Sequence, residues 1–370
     1  MAPWSKLTIP AALGSSTYCL PISLPLADNT ITLSLDGQYI KLLTDSCSSA
    51  TLVVYGPEYE RLHGVGSCKT FGSCYFCSTE NPCNDLLQRK NSTGEFGDGD
   101  VYIYVEHTLS LDIGNITISD FEVGLVIYSY NVYEEKPHVA SILGLAFGLS
   151  EHPPTFLEQL RKHGVIGSLS YSVRTNGDVS TLTGNITLDD TSQMRVGTDV
   201  RLTRDPAEFK QLVVIPLWPV SFLNSKGALL RYRYVGYDTT TKKDGPSLGY
   251  VDTGSKGIHL PEGDFDNFRR VADKFIRFSR KLDVYIVGKE NISHLPVLAL
   301  TLGEAPHQID IRIQPKHYVY RCSRRSCTVG VFCYSLGEPI LGHPLFHAYD
   351  VGFYLSSDRP YTTIQESVNY

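Results

Sequence analysis

Two aspartates stand at the same place in two similar short segments of this chain. The first segment is residues 42–48, LLTDSCS, and the second is residues 248–255, LGYVDTGS. Either segment alone would indicate only the end of a strand. Two carboxyl groups held a few ångströms apart cannot both ionise cheaply, so their pKa values split and they share one proton. Such a pair, here Asp45 and Asp252, can take a proton from water with one member while the other polarises a carbonyl.

A second repeated element indicates that the two aspartates belong to two similarly built halves. The tetrapeptide ILGL begins at Ile142, 97 residues after Asp45, and ILGH begins at Ile340, 88 residues after Asp252. Internal repeats determine architecture, and a pseudo-twofold axis would bring the two aspartates together between the halves. We therefore predict an N-terminal lobe over residues 1–185 and a C-terminal lobe over residues 186–370.

The elements that must position the aspartates are mostly short strands. Residues 29–43 alternate around a turn at Asp36-Gly37, and residues 94–126 predict hairpins turning at residues 97–99 and 114–115. Helical spacing occurs in two places, near Pro154 to His163 and from about Phe265 to Leu282.

These residues resemble the pepsin family of aspartic endopeptidases over nearly the whole chain, from about residue 29 to residue 354. The resemblance implies a mainly β, bilobal fold with two pseudo-symmetric, β-barrel-like lobes, short helices and a cleft between the lobes. It implies that Asp45 and Asp252 hold a water and hydrolyse a peptide or protein substrate bound in the cleft. It requires no cofactor and no metal, and we expect a monomer.

Further positions take their expected roles from the same resemblance. Ser48 and Ser255 would hydrogen-bond and orient the aspartates. The other positions of the two motifs are Ser46, Cys47, Thr253 and Gly254. The hairpin that would cover the cleft as a flap and contact the substrate has at its turn Phe96, Gly97, Asp98 and Gly99.

Three residues depart from the family pattern. Cys47 stands where the family has a tightly packed glycine, so its side chain could displace the water or shift Asp45. Phe96 stands where the flap usually has a tyrosine, which removes a hydrogen-bond donor. Lys256, if it points into the cleft, would lower the pKa values of the aspartates; otherwise it is a surface lysine.

Composition excludes several other classes. A net charge of −6 provides no basic field for nucleic acid or an anionic membrane. No apolar run reaches the roughly 20 residues of a membrane-spanning helix. His343 and His347 have a proline where a zinc protease needs its glutamate.

Cysteines and glycosylation sequons favour the secretory pathway, as a secreted or vacuolar glycoprotein, although the first 25 residues do not predict a signal peptide. Disulfides are the favoured state of Cys68, Cys74, Cys77 and Cys83, with a zinc site as the alternative. Cys322, Cys327 and Cys333 predict one more disulfide, and Cys47 or Cys19 is the candidate free thiol. The sequons begin at Asn91, Asn115, Asn185 and Asn291.

Three functions remain open on the sequence. The first is an endopeptidase acting at acid pH. The second is a pseudoprotease that binds a peptide, inhibitor or carbohydrate without hydrolysis, as Cys47, Phe96 and Lys256 would allow. The third is a cleft in which the same carboxylates perform acid/base chemistry on a small molecule, since fold does not determine function.

Overall fold

The computed structural model of the chain describes residues 20–79, 81–134, 137–148, 153–177, 179–191, 199–204, 213–230, 245–334, 338–356 and 360–367. Strands dominate these residues, and the helices are short. Among the described residues, no helix is long and apolar enough to cross a membrane.

The described strands of the first half, in chain order, are β1 (Ile22–Leu26), β2 (Thr30–Leu35), β3 (Gln38–Asp45), β4 (Thr51–Tyr55), β5 (Cys74–Tyr75), β6 (Asn91–Glu95), β7 (Asp100–Ile113), β8 (Ile116–Asn131), β9 (Ile142–Gly144), β10 (Ser170–Thr175) and β11 (Gly184–Leu188). Its helices are α1 (Gly56–His63), α2 (Ser67–Phe71) and α3 (Phe156–Lys162), with a 3₁₀ turn at Leu86–Gln88.

The described strands of the second half are β12 (Asp199–Arg201), β13 (Thr203–Arg204), β14 (Val213–Leu217), β15 (Ser221–Leu223), β16 (Ser247–Val251), β17 (Ile258–Pro261), β18 (Ile276–Ser279), β19 (Val284–Gly288), β20 (Val297–Glu304), β21 (His307–Ile313), β22 (Val319–Tyr320), β23 (Ser326–Val329), β24 (Val331–Tyr334), β25 (Ile340–Leu341), β26 (Tyr349–Tyr354) and β27 (Tyr361–Glu366). Its helices are α4 (Glu262–Ala272), α5 (Pro315–Tyr318) and α6 (His343–Ala348), with a 3₁₀ segment at Lys289–His294.

Each half has its own large sheet, and a further sheet joins them. Over the described residues, the first-half sheet runs β2-β3-β9-β4-β8-β7-β6, with β5 beside β4. The second-half sheet runs β15-β20-β14-β16-β25-β17-β24, with β13 and β21 at its side. The joining sheet runs β1-β11-β10-β26-β27-β12 and so contains strands of both halves. Residue 185, the predicted lobe boundary, lies inside β11 of this joining sheet, and the division into two lobes at that residue stays a prediction.

The two repeated elements pair in the same way in the two halves. β3 runs parallel to β9, and β16 runs parallel to β25. The loop after each aspartate then crosses over the glycine of the Ile-Leu-Gly element, because Gly144 donates to the Ala50 carbonyl and Gly342 donates to the Gly257 carbonyl, both at 3.1 Å. A Cβ at either glycine would collide with backbone carbonyl oxygens of that loop. This crossing explains why both copies of the element carry glycine.

The predicted hairpins and the first helix are confirmed. β2 and β3 turn at Asp36-Gly37, β6 and β7 at residues 96–99, and β7 and β8 at Gly114-Asn115. α3 begins with a capping box in which the Thr155 hydroxyl accepts from the Glu158 N–H and the Glu158 carboxylate accepts from the Thr155 N–H.

The prediction of a second helix reaching Leu282 was wrong at its C-terminal end. α4 begins at Glu262 and ends at Ala272, and residues 276–279 form β18. Phe278 continues the helical spacing but pairs with Tyr285 of β19 across an antiparallel ladder. Pairing with a distant strand overrode the local pattern, which periodicity cannot reveal.

Candidate active site

Asp45 and Asp252 occupy matching positions at the ends of two central strands. Asp45 is the last residue of β3, and its carbonyl accepts from the Leu145 N–H at 2.8 Å. Asp252 follows β16, and its N–H donates to the Leu341 carbonyl at 3.0 Å. The strand ends therefore present both carboxyl groups at the junction of the two halves.

Each carboxylate is held by the backbone two residues further on. Asp45 Oδ1 accepts from the Cys47 N–H at 2.8 Å, and Asp252 Oδ1 accepts from the Gly254 N–H at 2.7 Å. The two turns have the same hydrogen bond although one carries a cysteine and the other a glycine. The Cys47 side chain thus leaves the local support of Asp45 intact.

The two motifs also bind each other through hydroxyl groups. The Ser46 hydroxyl accepts from the Thr253 N–H at 2.9 Å and donates to the Val251 carbonyl at 2.7 Å. The Thr253 hydroxyl accepts from the Ser46 N–H at 3.0 Å and donates to the Thr44 carbonyl at 2.9 Å. Ser46 and Thr253 are fully buried, so these bonds are made away from competing water and fix the separation of the two motifs.

The electrostatics are those of two like charges enclosed together. Burial, then the charge of Asp252, raises the pKa of Asp45, against the lowering effect of the Cys47 N–H. Burial also raises the pKa of Asp252, and the Gly254 and Ser255 N–H groups oppose it. The charge of Asp98 raises the pKa values of both. Each carboxyl group acts on the pKa of the other, raising that of Asp45 and opposing the rise in that of Asp252, as expected for a pair that shares one proton.

Cys47 brings a thiol into the same site. Its Sγ lies 3.7 Å from the Val251 carbonyl and within 4.8 Å of carboxylate oxygens of Asp45 and Asp252. Burial and the two carboxylates raise the pKa of this thiol well above its ordinary value. At the matching position of the other motif, a Cβ on Gly254 would lie 3.1 Å from Asp252 Oδ1.

Tyr171 is a site residue that the sequence did not reveal. It lies on β10 of the joining sheet, is fully buried, and stacks on Phe353 with ring centroids 4.6 Å apart. Burial raises the pKa of Tyr171, and the charges of Cys47, Asp45 and Asp252 raise it further. No local motif marks this tyrosine, because its position depends on the pairing of β10 with β26.

The predicted flap forms the turn between β6 and β7. The Gly99 N–H donates to the Phe96 carbonyl at 3.0 Å, and Gly99 has the positive φ of 88° that favours glycine. Phe96 packs on Tyr102 with ring centroids 4.9 Å apart. Tyr334 of the second half reaches this turn, since its hydroxyl lies 3.6 Å from where a Cβ on Gly97 would stand.

The remaining predicted positions lie close by. The Ser48 N–H donates to the Asp45 carbonyl at 3.4 Å, and the Ser255 hydroxyl donates to the Gly257 carbonyl at 3.4 Å. The Ser255 main-chain N–H is the group that acts on Asp252. Support of the aspartates by the two serine hydroxyls therefore stays a prediction. Lys256 is exposed, and its charge acts on the buried His343.

His343 holds the second motif in place through a buried hydrogen bond. One ring nitrogen, Nε2, lies 3.1 Å from the Thr253 carbonyl, and burial lowers the pKa of His343 to about 4. The ring is therefore neutral at ordinary pH and donates this hydrogen bond to the carbonyl. The sequence marked His343 only as half of a zinc spacing, and this structural role depends on a contact 90 residues away in the chain.

The cysteines of the described residues are mostly paired. Disulfides join Cys68 to Cys74, Cys77 to Cys83 and Cys322 to Cys327, as predicted for the first-half cluster and for one pair in the second half. Disulfides of this number are typical of an oxidising, secretory-type compartment. Within the same residues Cys47 and Cys333 are unpaired, and Cys19 lies outside them.

Comparison with known proteins supports the fold. No family model matches the chain. No curated protein matches it. Among solved structures, the crystal structure of the aspartic proteinase from Irpex lacteus is similar, with a TM-score of 0.65 and 15% sequence identity, over 94% of this chain and 98% of that chain. An identity this low is evidence for the fold alone, and it confirms the predicted mainly β, bilobal, pepsin-like architecture.

Proposed function

We propose that this protein is an aspartic-type endopeptidase that hydrolyses peptide bonds with a water activated by Asp45 and Asp252. The observation that supports this most strongly is the half-buried carboxyl pair, whose oxygens lie within 4.8 Å of each other and whose members are each held by a matching backbone N–H. The substrate is an extended peptide or protein segment lying in the cleft between lobes of residues 1–185 and 186–370.

The chemistry follows from one shared proton. The ionised carboxylate takes a proton from the water while the protonated carboxyl group donates a hydrogen bond to the scissile carbonyl oxygen. The water oxygen bonds to the carbonyl carbon and forms a tetrahedral intermediate, which collapses as the leaving amine accepts a proton. No covalent enzyme adduct forms. Since the pKa values of both aspartates are raised, the pH range in which the pair shares one proton lies higher than for two ordinary carboxyl groups.

The flap residues Phe96, Gly97, Asp98 and Gly99 cover the substrate in this proposal. Phe96 offers a ring without a hydroxyl, so it contributes packing and leaves hydrogen bonding to the backbone of the turn. Asp98 places a negative charge near the catalytic pair, as its effect on both pKa values indicates.

We further propose that the protein is a secreted or vacuolar glycoprotein acting as a monomer. The three disulfides of the described residues support an oxidising compartment. Asn91, Asn115 and Asn185 are exposed, so an oligosaccharide transferase could reach these sequons.

The test is cleavage of a mixed peptide library across acid to neutral pH, with and without a statine-type inhibitor. We expect inhibitor-sensitive cleavage that is abolished by Asp45→Asn and by Asp252→Asn. Asp264→Asn is the matched control, because Asp264 is also an enclosed carboxyl group of raised pKa but lies on α4, outside the motifs. Cleavage that survives either dyad substitution overturns the proposal.

One observation favours a second function, a cleft that binds peptides without hydrolysis. The Cys47 Sγ lies within 4.8 Å of oxygens of both carboxylates, close enough to interfere with a water held between them. A folded protein that binds the statine-type inhibitor but cleaves no peptide of the library would support this function. Restoration of cleavage by Cys47→Gly would identify the thiol as the cause.

A further inference from the structure

The thiol of Cys47 gives the carboxyl pair a chemical property that peptide hydrolysis does not use. One carboxylate oxygen of Asp45, one of Asp252 and the Cys47 Sγ all lie within 4.8 Å of one another. Carboxylate oxygen and thiolate sulfur are both ligands of Zn²⁺ and of its spectroscopic substitute Co²⁺. The three residues come from two loops that are locked together by Ser46 and Thr253, so the cluster is rigidly positioned.

A second observation concerns a buried tyrosine whose hydroxyl is affected by the charges of this cluster. The Tyr171 hydroxyl is fully buried and has no hydrogen-bond partner among the described residues. The acidic groups that act on it are Cys47, Asp45 and Asp252, in that order. A buried polar group is rarely left unpaired, and an unpaired one indicates an absent partner. Tyr171 therefore has a buried hydroxyl without a partner among the described residues, and it lies near enough for the charges of the same three side chains to act on it.

We propose that Asp45, Cys47 and Asp252 form a binding site for a thiophilic divalent cation such as Zn²⁺. The cation bonds to the Cys47 sulfur and to one oxygen of each carboxylate. The Tyr171 hydroxyl either serves as a fourth oxygen ligand or hydrogen-bonds to a water on the cation.

The geometry and the charge both suit such an ion. Ligand atoms of a tetrahedral zinc site stand about 3 to 4 Å apart, so the present cluster needs only small side-chain rotations. The S–H bond breaks as the Zn–S bond forms, and the thiol proton and the shared carboxyl proton pass to solvent without any change of oxidation state. Two carboxylates and a thiolate carry three negative charges, of which the dication neutralises two. Sulfur selects against Mg²⁺ and Ca²⁺, which prefer oxygen ligands.

The site is accessible to an ion from solvent. Asp45, Cys47 and Asp252 each keep part of their surface exposed, whereas Tyr171 is fully buried. A cation in this position occupies the place of the catalytic water and engages both carboxylates. If the proposed peptidase function holds, the cation is therefore an inhibitor, but its binding does not depend on that function.

The experiment is a Co²⁺ titration of the intact, chelator-treated protein near neutral pH. Thiolate bound to Co²⁺ produces an intense charge-transfer band in the near ultraviolet, which carboxylates alone do not produce. We expect one equivalent of Co²⁺ to produce this band and one equivalent of Zn²⁺ to remove it. Cys47→Ala should abolish the band, and Asp252→Asn should weaken Co²⁺ binding at least tenfold.

Cys333→Ala is the matched control, because Cys333 is the other unpaired thiol of the described residues and is exposed on β24. It should keep the band unchanged. Melting temperatures establish that each variant is folded, and Cys47→Gly replaces Cys47→Ala if the latter is not. The proposal is overturned if the wild type shows no band, if the band persists without Cys47, or if it disappears in Cys333→Ala. Persistence would assign the metal to another thiol cluster, such as reduced Cys77 and Cys83 beside His107.

Discussion

Ser46 and Thr253 each accept, through the side-chain hydroxyl, a hydrogen bond from the backbone N–H of the other, at 2.9 and 3.0 Å. The two residues are 207 positions apart in the chain. Each directly follows one of the two aspartates, so this exchange sets the distance between the carboxyl groups. The catalytic geometry proposed here depends on it.

Removal of one of these hydroxyls should destabilise the protein. Thr253→Val keeps the shape but leaves the buried Ser46 N–H and Thr44 carbonyl unpaired, which we expect to cost about 2 kcal/mol in the free energy of unfolding. Urea unfolding measures this. Thr301→Val, which removes a surface hydroxyl bonded to Asp310, should change stability by less than about 0.5 kcal/mol. Equal losses in the two variants would contradict a special role for Thr253.

Neutralising one aspartate should stabilise the fold at neutral pH. A carboxyl group whose pKa is raised in the folded state binds its proton more tightly there, so its contribution to stability falls as pH rises from the ordinary pKa toward the raised one. The Asp45→Asn variant has no ionisable group at this position. Its free energy of unfolding near neutral pH should exceed that of the parent by about 1 kcal/mol or more, since one pKa unit corresponds to about 1.4 kcal/mol.

The stability gained by Asp45→Asn should depend on pH, and this dependence distinguishes charge repulsion from other causes. The difference in melting temperature between Asp45→Asn and the parent should shrink as the pH falls and vanish in strong acid, where both carboxyl groups are protonated. Asp283→Asn, in an exposed turn, is the control and should show little difference at any pH. A gain independent of pH would mean that the aspartates do not repel each other.

The carboxylate of Asp98, in the predicted flap, should influence the pKa values of Asp45 and Asp252. Asp98 raises the pKa values of both aspartates, so Asp98→Asn should lower both and move the whole titration toward acid by less than one pH unit. Carboxyl ¹³C shifts followed against pH report this directly, without need of activity. Glu95→Gln removes an equal charge from an exposed position at the end of β6, directly before the same turn, and should leave the titration unchanged because Glu95 has no effect on either aspartate. An identical shift in both variants would indicate a general field effect.

The repeated glycines should be intolerant of a side chain. A Cβ in Gly342→Ala would collide with the carbonyl oxygens of Ser255 and Gly257, and backbone cannot easily yield. We expect a loss of more than about 3 kcal/mol in unfolding free energy, or no folded protein. Gly94→Ala is the control, since its Cβ would make ordinary contacts 3.8 Å from Leu52 and Tyr104. Comparable expression and melting temperature for Gly342→Ala would disprove the tight crossing.

The resemblance to the pepsin family predicted the fold class, and the sequence by itself was sufficient to predict the hairpins, the disulfide-bonded state of the four clustered cysteines and the meeting of the two aspartates. These follow from local signals: turn residues, alternation and a motif that occurs twice. The repeat carries long-range information, because two similar halves can form a symmetric interface only with matching segments facing each other.

Only the tertiary structure decided the rest of the site. It ended α4 at Ala272, because β18 pairs with β19, and it placed the buried Tyr171 of the joining sheet where the charge of Cys47 acts on its hydroxyl. It brought Tyr334 of the second half against the flap turn. These relationships join residues that are far apart in the chain and share no motif, so their energies depend on packing between elements rather than on local propensity. The sequence thus determined which carboxyl groups would meet, and the packing of the two halves decided which thiol and hydroxyl groups surround them.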